Sequence, residues 1–390
     1  MRITKIAAKI IRDSRGEKTI EVTTTSGRLV SKASIPAGKS TGQFEAASIP
    51  AEEAIKKIKL AAPLIYELDF KSQKDFDEFL IQLDGTKNKS NLGANSILAL
   101  SICFARLNAK KADVPLYKYI SKLSGIKAKK PHIYANLINA GLHAKTGPAF
   151  QEYIIVPTSG DTKSEIKIIN NFYRKLGISL RKNKILAGIG DEGGYVLNSK
   201  DEGLPFLLFD HIKDELGLNK KVSYAIDAAA SSFYNNGKYK LDRGLVSPDE
   251  LTKFYKVLTT GFDIISIEDP FDEKDFKSFA KLHSSVDAVI VGDDLTVTNP
   301  IHIEEAHKAN SINGVIIKPN QIGTVTETIA AAKLATKYGF KLIASHRSGE
   351  TKDDWICDIA VGIGAFGIKI GAPKTIYRLA KYKRLAEIKI

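Results

Sequence analysis

Three carboxylates, Asp227, Glu268 and Asp293, each close a short apolar run, and Lys318 closes the next run in the same way. In a parallel barrel the C-terminal ends of the strands converge on one rim, so residues far apart in the chain can form one site there. The residue types point to metal-dependent proton abstraction. Carboxylates supply the all-oxygen ligands that a hard cation such as magnesium takes, and an amine with a depressed pKa can accept the proton. Taking a proton from carbon next to a carboxylate gives a dianionic enolate, so fixed cations must meet that charge. Plainer readings exist. An Asp after a strand can cap the next helix, and a strand-end lysine can run its stem out to solvent. Three carboxylates in register with Lys318 favour the site.

The runs that position these groups are 222–227, 263–268, 288–293 and 314–318, followed by 341–345 before His346-Arg347 and by 366–371, which contains Lys369. Each is short, β-branched and closed by polar or turn residues. The intervening stretches, such as 248–260 and 324–338, carry apolar residues at helical spacing. That alternation predicts a (β/α) barrel within an α/β chain. The N-terminal part reads differently: strands over 3–11, 19–25 and 29–35, then helices over 51–66, 72–83 and 95–108. Two domains are expected, an α+β capping domain over 1–130 and a barrel over 131–390, joined through the lysine-rich 126–130 ahead of Pro131.

At 390 residues with 43% hydrophobic residues, the chain can bury a barrel of ~250 residues and a second domain. No stretch approaches the ~20 consecutive apolar residues of a membrane span, and no secretory leader is recognisable, so a soluble cytoplasmic protein is expected. Two cysteines, Cys103 and Cys357, offer neither a disulfide framework nor a cysteine-rich zinc site. The seven histidines show no HExxH pattern. A net charge of +14 could mean a nucleic-acid surface, attraction of anionic substrate, or a lysine-heavy composition. The lysines are spread along the chain, which favours composition; no specific nucleic-acid partner is expected. Gly38-Lys39-Ser40 resembles the end of a phosphate-cradling loop, but Ala33 stands where that pattern needs glycine and Pro36 removes a backbone donor.

Ten segments, spread over the length of the chain, resemble the signature segments of the enolase family, in the family's order. They are Asp13-Ser-Arg-Gly16, Pro36-Ala-Gly-Lys-Ser-Thr-Gly42, Leu83-Asp-Gly-Thr-Lys-Asn-Lys-Ser90, Leu92-Gly-Ala-Asn95, Gly190-Asp-Glu-Gly-Gly194, Ser266-Ile-Glu-Asp-Pro270, Gly292-Asp-Asp-Leu295, Asn320-Gln-Ile-Gly-Thr324, Ser345-His-Arg-Ser-Gly-Glu-Thr351 and Ile368-Lys-Ile-Gly-Ala-Pro373. The resemblance implies a modified (β/α)8 barrel whose first two strands are antiparallel. Nine candidate strands can be marked in the C-terminal part, whereas eight close such a barrel. On the family's pattern 184–189 is the one left out, and Glu152, which precedes its apolar run, begins a reversed strand.

The resemblance also implies roles. Asp227, Glu268, Asp293 and, from a closing loop, Ser40 would bind Mg2+ at two sites, the second completed on substrate binding. Lys318 would be the base for the C2 proton of 2-phosphoglycerate, and must be neutral to act; burial and nearby cations lower a lysine's pKa. Glu192, aided by Glu152, would help the C3 hydroxyl leave, and paired carboxylates favour one protonated member. Lys369 would contact the substrate carboxylate, Arg347 and Ser348 the phosphoryl group, and His346 the reacting end. Gln151 and His143 belong to a second closing loop, 140–152, with His143 entering on closure. The implied activity is the lyase reaction between 2-phosphoglycerate and phosphoenolpyruvate in glycolysis and gluconeogenesis, carried out by a homodimer or higher homo-oligomer. Competing readings are an enolase-like binding protein, such as an RNA-processing or cell-surface partner, and a related enzyme for an unphosphorylated acid; 345–351 speaks against the latter. The chain departs from the family at Lys39, usually alanine; at Glu17-Lys18, usually Asn-Pro; after Glu45-Ala46, where Arg-Asp-Gly-Asp is missing; and at Thr375-Ile-Tyr-Arg378, usually Arg-Ser-Glu-Arg.

Overall fold

The computed structural model describes residues 1–38 and 44–390; Lys39 and the expected metal ligand Ser40 lie outside the described residues. The chain opens with an antiparallel sheet of β1 (Lys5–Arg12), β2 (Lys18–Ser26) and β3 (Leu29–Ser34). Gly27, at φ +58°, makes the tight β2–β3 turn, a backbone region in which only glycine is unstrained. Four helices follow: α1 (Ala51–Tyr66), α2 (Gln73–Asp84), α3 (Ala94–Lys111) and α4 (Leu116–Ser124). Helix α2 starts where the Ser72 side chain caps the Asp75 amide, and α3 is buried along most of its length. Phe76 stacks on Phe104 with ring centroids 4.3 Å apart, and Phe70 meets both rings edge-on.

The second part begins with β4 (His132–Asn139) and β5 (Glu152–Pro157), then α5 (Thr162–Lys182), a hairpin of β6 (Leu186–Ile189) and β7 (Tyr195–Leu197), and α6 (Leu204–Glu215). After β8 (Val222–Asp227) comes a small sheet of β9 (Tyr234–Asn235), β10 (Lys238–Leu241) and β11 (Gly244–Val246), which no sequence pattern had indicated. The remainder alternates: α7 (Pro248–Gly261), β12 (Ile264–Glu268), α8 (Phe276–His283), β13 (Val289–Gly292), α9 (Pro300–Lys308), β14 (Gly314–Ile317), the short α10 (Pro319–Ile322) and α11 (Val325–Lys337). It ends with β15 (Lys341–Ser345), α12 (Trp355–Gly362), β16 (Gly367–Lys369) and α13 (Ile376–Glu387).

The strands β4-β5-β8-β12-β13-β14-β15-β16 close on themselves through β16 and β4. Strand β5 is antiparallel to both of its neighbours, and the other barrel pairs are parallel. The expected reversal of the second strand is therefore present. The run at 184–189 forms β6, which lies outside the closed ring; its partner β7 touches the ring only at Ile138↔Tyr195. The Gly-Asp-Glu-Gly-Gly segment is the turn of this hairpin, between α5 and α6.

The barrel has two apolar layers. Ile154, Val156, Ala225, Val291, Ile316 and Ile343 fill its interior with Tyr134, while Tyr153, Ile155, Tyr224, Ile226 and Ile317 join the larger core under the helices. Successive side chains on a strand point to opposite faces. Two steps beyond an inward residue is again inward, so Glu152, Asp227, Asp293 and Lys318 inherit the inward face from Ile154, Ala225, Val291 and Ile316. The N-terminal part docks on the barrel through Arg106 of α3, which pairs with Asp353 at 2.6 Å, and through Trp355, whose ring N–H donates to the Ser34 carbonyl at 3.0 Å. Gly362 lets α12 approach α4, since a Cβ there would lie 2.6 Å from Ile120.

Candidate active site

Register delivers the first row of groups. Glu152 pairs with Asp227 across β5 and β8, and Asp227 pairs with Glu268 across β8 and β12. The last residue of β16, Lys369, sends its Nζ between them: it lies 3.0 Å from Glu152, 3.0 Å from Asp227 and 2.8 Å from Glu268. Burial opposes charge on this amine, but the three carboxylates outweigh it and hold Lys369 firmly protonated. Burial and the neighbouring carboxylates push Glu152 and Glu268 well above their ordinary range.

Asp293 follows β13 and ion-pairs with Lys318, which follows β14. This corrects the expectation for Lys318. Burial is the largest influence and lowers its pKa, yet the Asp293 and Glu268 carboxylates together outweigh it, and the amine sits above its ordinary value. Asp269, at φ +41°, accepts the backbone amides of Asp293 at 2.9 Å and Asp294 at 2.8 Å, so both its oxygens are spent shaping the turn that presents Asp293. Among the described residues, Asp269, Asp293 and Asp294 form one cluster of metal-ligating atoms within 4.8 Å of one another, and His143, Glu152 and Glu192 form another. Asp227 and Glu268 are bridged by Lys369, and each of the three expected metal ligands has an ammonium partner.

The third set lines the side of the cavity near β4. Glu192, in the β6–β7 turn, accepts from Asn136 Nδ2 at 3.0 Å and stands 3.1 Å from His346 Nε2. Burial favours the neutral acid, but the contacts with His346 and His143 and the Arg378 charge pull Glu192 well below its ordinary value, while burial and the Arg378 charge bring His346 down to about 3. The two carboxyls are thus pushed in opposite directions, Glu152 toward the protonated form and Glu192 toward the ionised one. His143 lies in a 3-10 turn with Nδ1 3.6 Å from Glu152 and 3.9 Å from Glu192, already buried, where entry on closure had been expected. Gln151 Nε2 lies 3.5 Å from Asp227.

Arg347 meets a carboxylate bidentately: Glu45 accepts from Nη1 at 2.9 Å and from Nη2 at 3.2 Å. The adjacent Ser348 hydroxyl accepts from Arg15 Nη1 at 3.2 Å, which ties the Asp13-Ser-Arg-Gly16 turn to the site. Together these groups line a cavity of about 400 Å³ that contains Glu45, His143, Glu152, Glu192, Lys318 and Lys369 among its walls. Glu45, Asn136, Asp269 and Arg378 were missed as functional residues. Asn136 and Asp269 had a signal, since Asn136 interrupts an otherwise apolar strand and Asp269 directly follows Glu268. Glu45 and Arg378 had only their places beside departures from the family.

Buried carboxylates, lysines and histidines gathered at one end of a closed (β/α)8 barrel are the arrangement of a barrel enzyme. Residues 3–120 match the family model described as the enolase N-terminal domain, and residues 128–389 match that of the enolase C-terminal TIM barrel domain. The chain is 40% identical over 409 aligned positions to the enolase of Methanopyrus kandleri, a match covering 99% of this chain and 95% of the relative. The chain belongs to the enolase family, the phosphopyruvate hydratases, which are lyases. Among the described residues no helix is long and apolar enough to cross a membrane.

Proposed function

We propose that this chain catalyses the reversible dehydration of 2-phosphoglycerate to phosphoenolpyruvate, as a Mg2+-dependent cytoplasmic homo-oligomer whose residues 131–390 carry most of the site and residues 1–130 cap it. One observation supports this above the others. Lys318, after β14, and Glu152, at the start of β5, face a single cavity from four strands apart in the eight-stranded ring, with Glu192 beside Glu152, as an elimination needs its base and acid on different sides of the substrate.

Asp227, Glu268 and Asp293 offer only oxygen donors, and Glu268 Oε1 is buried with no hydrogen-bond partner, so the donors fit a hard divalent cation. These residues, with Ser40 at a second site, would hold Mg2+, which would supply positive charge against the developing enolate. Lys318 Nζ removes the C2 proton. Were Asp293 engaged as a ligand, it would neutralise Lys318 less, and burial with the Arg347 and Lys369 charges would favour the neutral, basic amine. Lys369 meets the substrate carboxylate. The proton shared by Glu152 and Glu192 goes to the C3 hydroxyl, which leaves as water, while His346, His143 and Gln151 orient that end of the substrate. Arg347 and Ser348 take the phosphoryl group after Glu45 is displaced from the guanidinium.

The test follows the absorbance of phosphoenolpyruvate formed from 2-phosphoglycerate, with Mg2+ and with a chelator. Turnover that requires the metal is expected; folded, magnesium-loaded protein without turnover would remove the reading.

A further inference from the structure

Helix α13 carries a fully buried guanidinium, Arg378, whose fork is spent on the loop after β15 and not on its own helix. Nη1 faces His346 Nδ1 and donates to the Arg347 carbonyl at 3.0 Å, and Nη2 donates to the Ser348 carbonyl at 2.8 Å. Gly371 makes this approach possible. Its φ is +72°, and a Cβ there would lie 2.8 Å from the Glu192 carbonyl, 3.0 Å from the His346 ring and 3.2 Å from Arg378.

An arginine offers donors only, so the imidazole nitrogen facing it must accept. A neutral imidazole has one N–H, and with Nδ1 accepting, that proton lies on Nε2. Nε2 is the nitrogen 3.1 Å from Glu192 Oε1, buried and without a hydrogen bond of its own among the described residues, on a ring that lines the cavity. Burial and the Arg378 charge keep the ring neutral across the working pH range.

We propose that Arg378 is a positioning residue: by donating to Nδ1 it holds His346 in the Nε2–H tautomer, so that the ring presents a donor, and not a lone pair, to Glu192 and to the leaving hydroxyl. The catalytic part rests on the function proposed above; the tautomer does not. Arg378 touches no substrate and acts only through His346.

Long-range 1H–15N NMR of histidine-labelled full-length protein, with the His346 signals identified by their loss in His346→Gln, reads which nitrogen is protonated. The wild type should show Nε2–H alone, and Arg378→Met, which leaves Nδ1 without its donor, should admit a measurable share of the Nδ1–H form. Misorienting a group at the reacting centre is costly, so kcat for 2-phosphoglycerate should fall at least about tenfold in Arg378→Met, with KM changing less than about threefold. Arg378→Lys, which keeps a cation and a donor, should restore the Nε2–H form and part of kcat; a purely structural role would not couple the two. An Nδ1–H tautomer in the wild type overturns the proposal. So does Nε2–H as the sole form in folded Arg378→Met, and so does a mixed tautomer with kcat unchanged. If Arg378→Met does not fold, the wild-type spectrum and Arg378→Lys decide. Absence of turnover in the wild type would refute the enzyme reading while leaving the tautomer measurement intact.

Discussion

Lys318 and Glu192 reach the cavity from different loops and belong to different halves of an elimination, so removing each should have a different signature. Lys318→Ala should abolish both product formation and exchange of the substrate's C2 proton with solvent deuterium. Glu192→Gln should cut turnover by about 10²-fold or more, the usual worth of a positioned acid–base group, while part of the exchange survives. Mass-spectrometric deuterium incorporation alongside the absorbance assay measures both, and equal loss of exchange in the two variants would overturn the division. The two carboxyls of this pair are biased oppositely. Glu152 is raised because it is buried beside Glu192, whereas Glu192 has His346, Asn136 and the Arg378 charge to support an anion.

Between elements, Asp77 ties α2 to α11. Its carboxylate accepts from the Thr326 amide at 2.9 Å and from Gln73 at 3.0 Å, near the start of α11, where helix amides are otherwise unpaired. Burial outweighs the hydrogen bonds from Ser101, Thr326 and Gln73 and raises its pKa from 3.8 to about 6. A folded value above the unfolded one means that the native state holds the proton more tightly. Its contribution to stability is full below pH ~4 and is lost as the pH rises through ~6, by about 3 kcal/mol. Denaturant unfolding of wild type and Asp77→Asn from pH 4 to 7 should show the wild type losing ground to the variant over that window. Parallel curves would mean that Asp77 titrates at its ordinary value. Asp77 shares no contact with the active-site carboxylates, so the effect should appear in stability and not in kcat.

For the whole molecule, an excess of 14 positive charges could serve a polyanion or only solvate the surface. Many of the lysines that make ion pairs do so on the exterior, as Lys9, Lys281 and Lys308 do, which suits solvation. Labelled single-stranded RNA should bind more weakly than about 1 µM at 0.15 M salt, with affinity falling steeply as salt rises and no sequence preference. Fluorescence anisotropy across a salt series measures this, and a tight, sequence-selective complex would support the binding-protein reading.

Much of the site was legible in the sequence because strand parity and strand ends are local. A run of alternating or β-branched residues closed by Asp, Glu or Lys declares both a strand and the face its last side chain takes, and the order of the family segments supplied the reversed second strand. Charge partnership was not legible. Lys369 bridges carboxylates 142 and 101 positions away, Arg347 meets Glu45 across 302, and Arg378 reaches His346 across 32. Those contacts exist only once the barrel closes and the N-terminal sheet and α13 dock on its rim. The protonation states follow from them. Burial lowers the pKa of Lys318, and it is the Asp293 and Glu268 carboxylates from other strands that keep the amine charged. Residue type and spacing determined which groups line the cavity; the folded arrangement decided which of them hold a proton, because a buried group's pKa is set by neighbours that the chain brings together only in three dimensions.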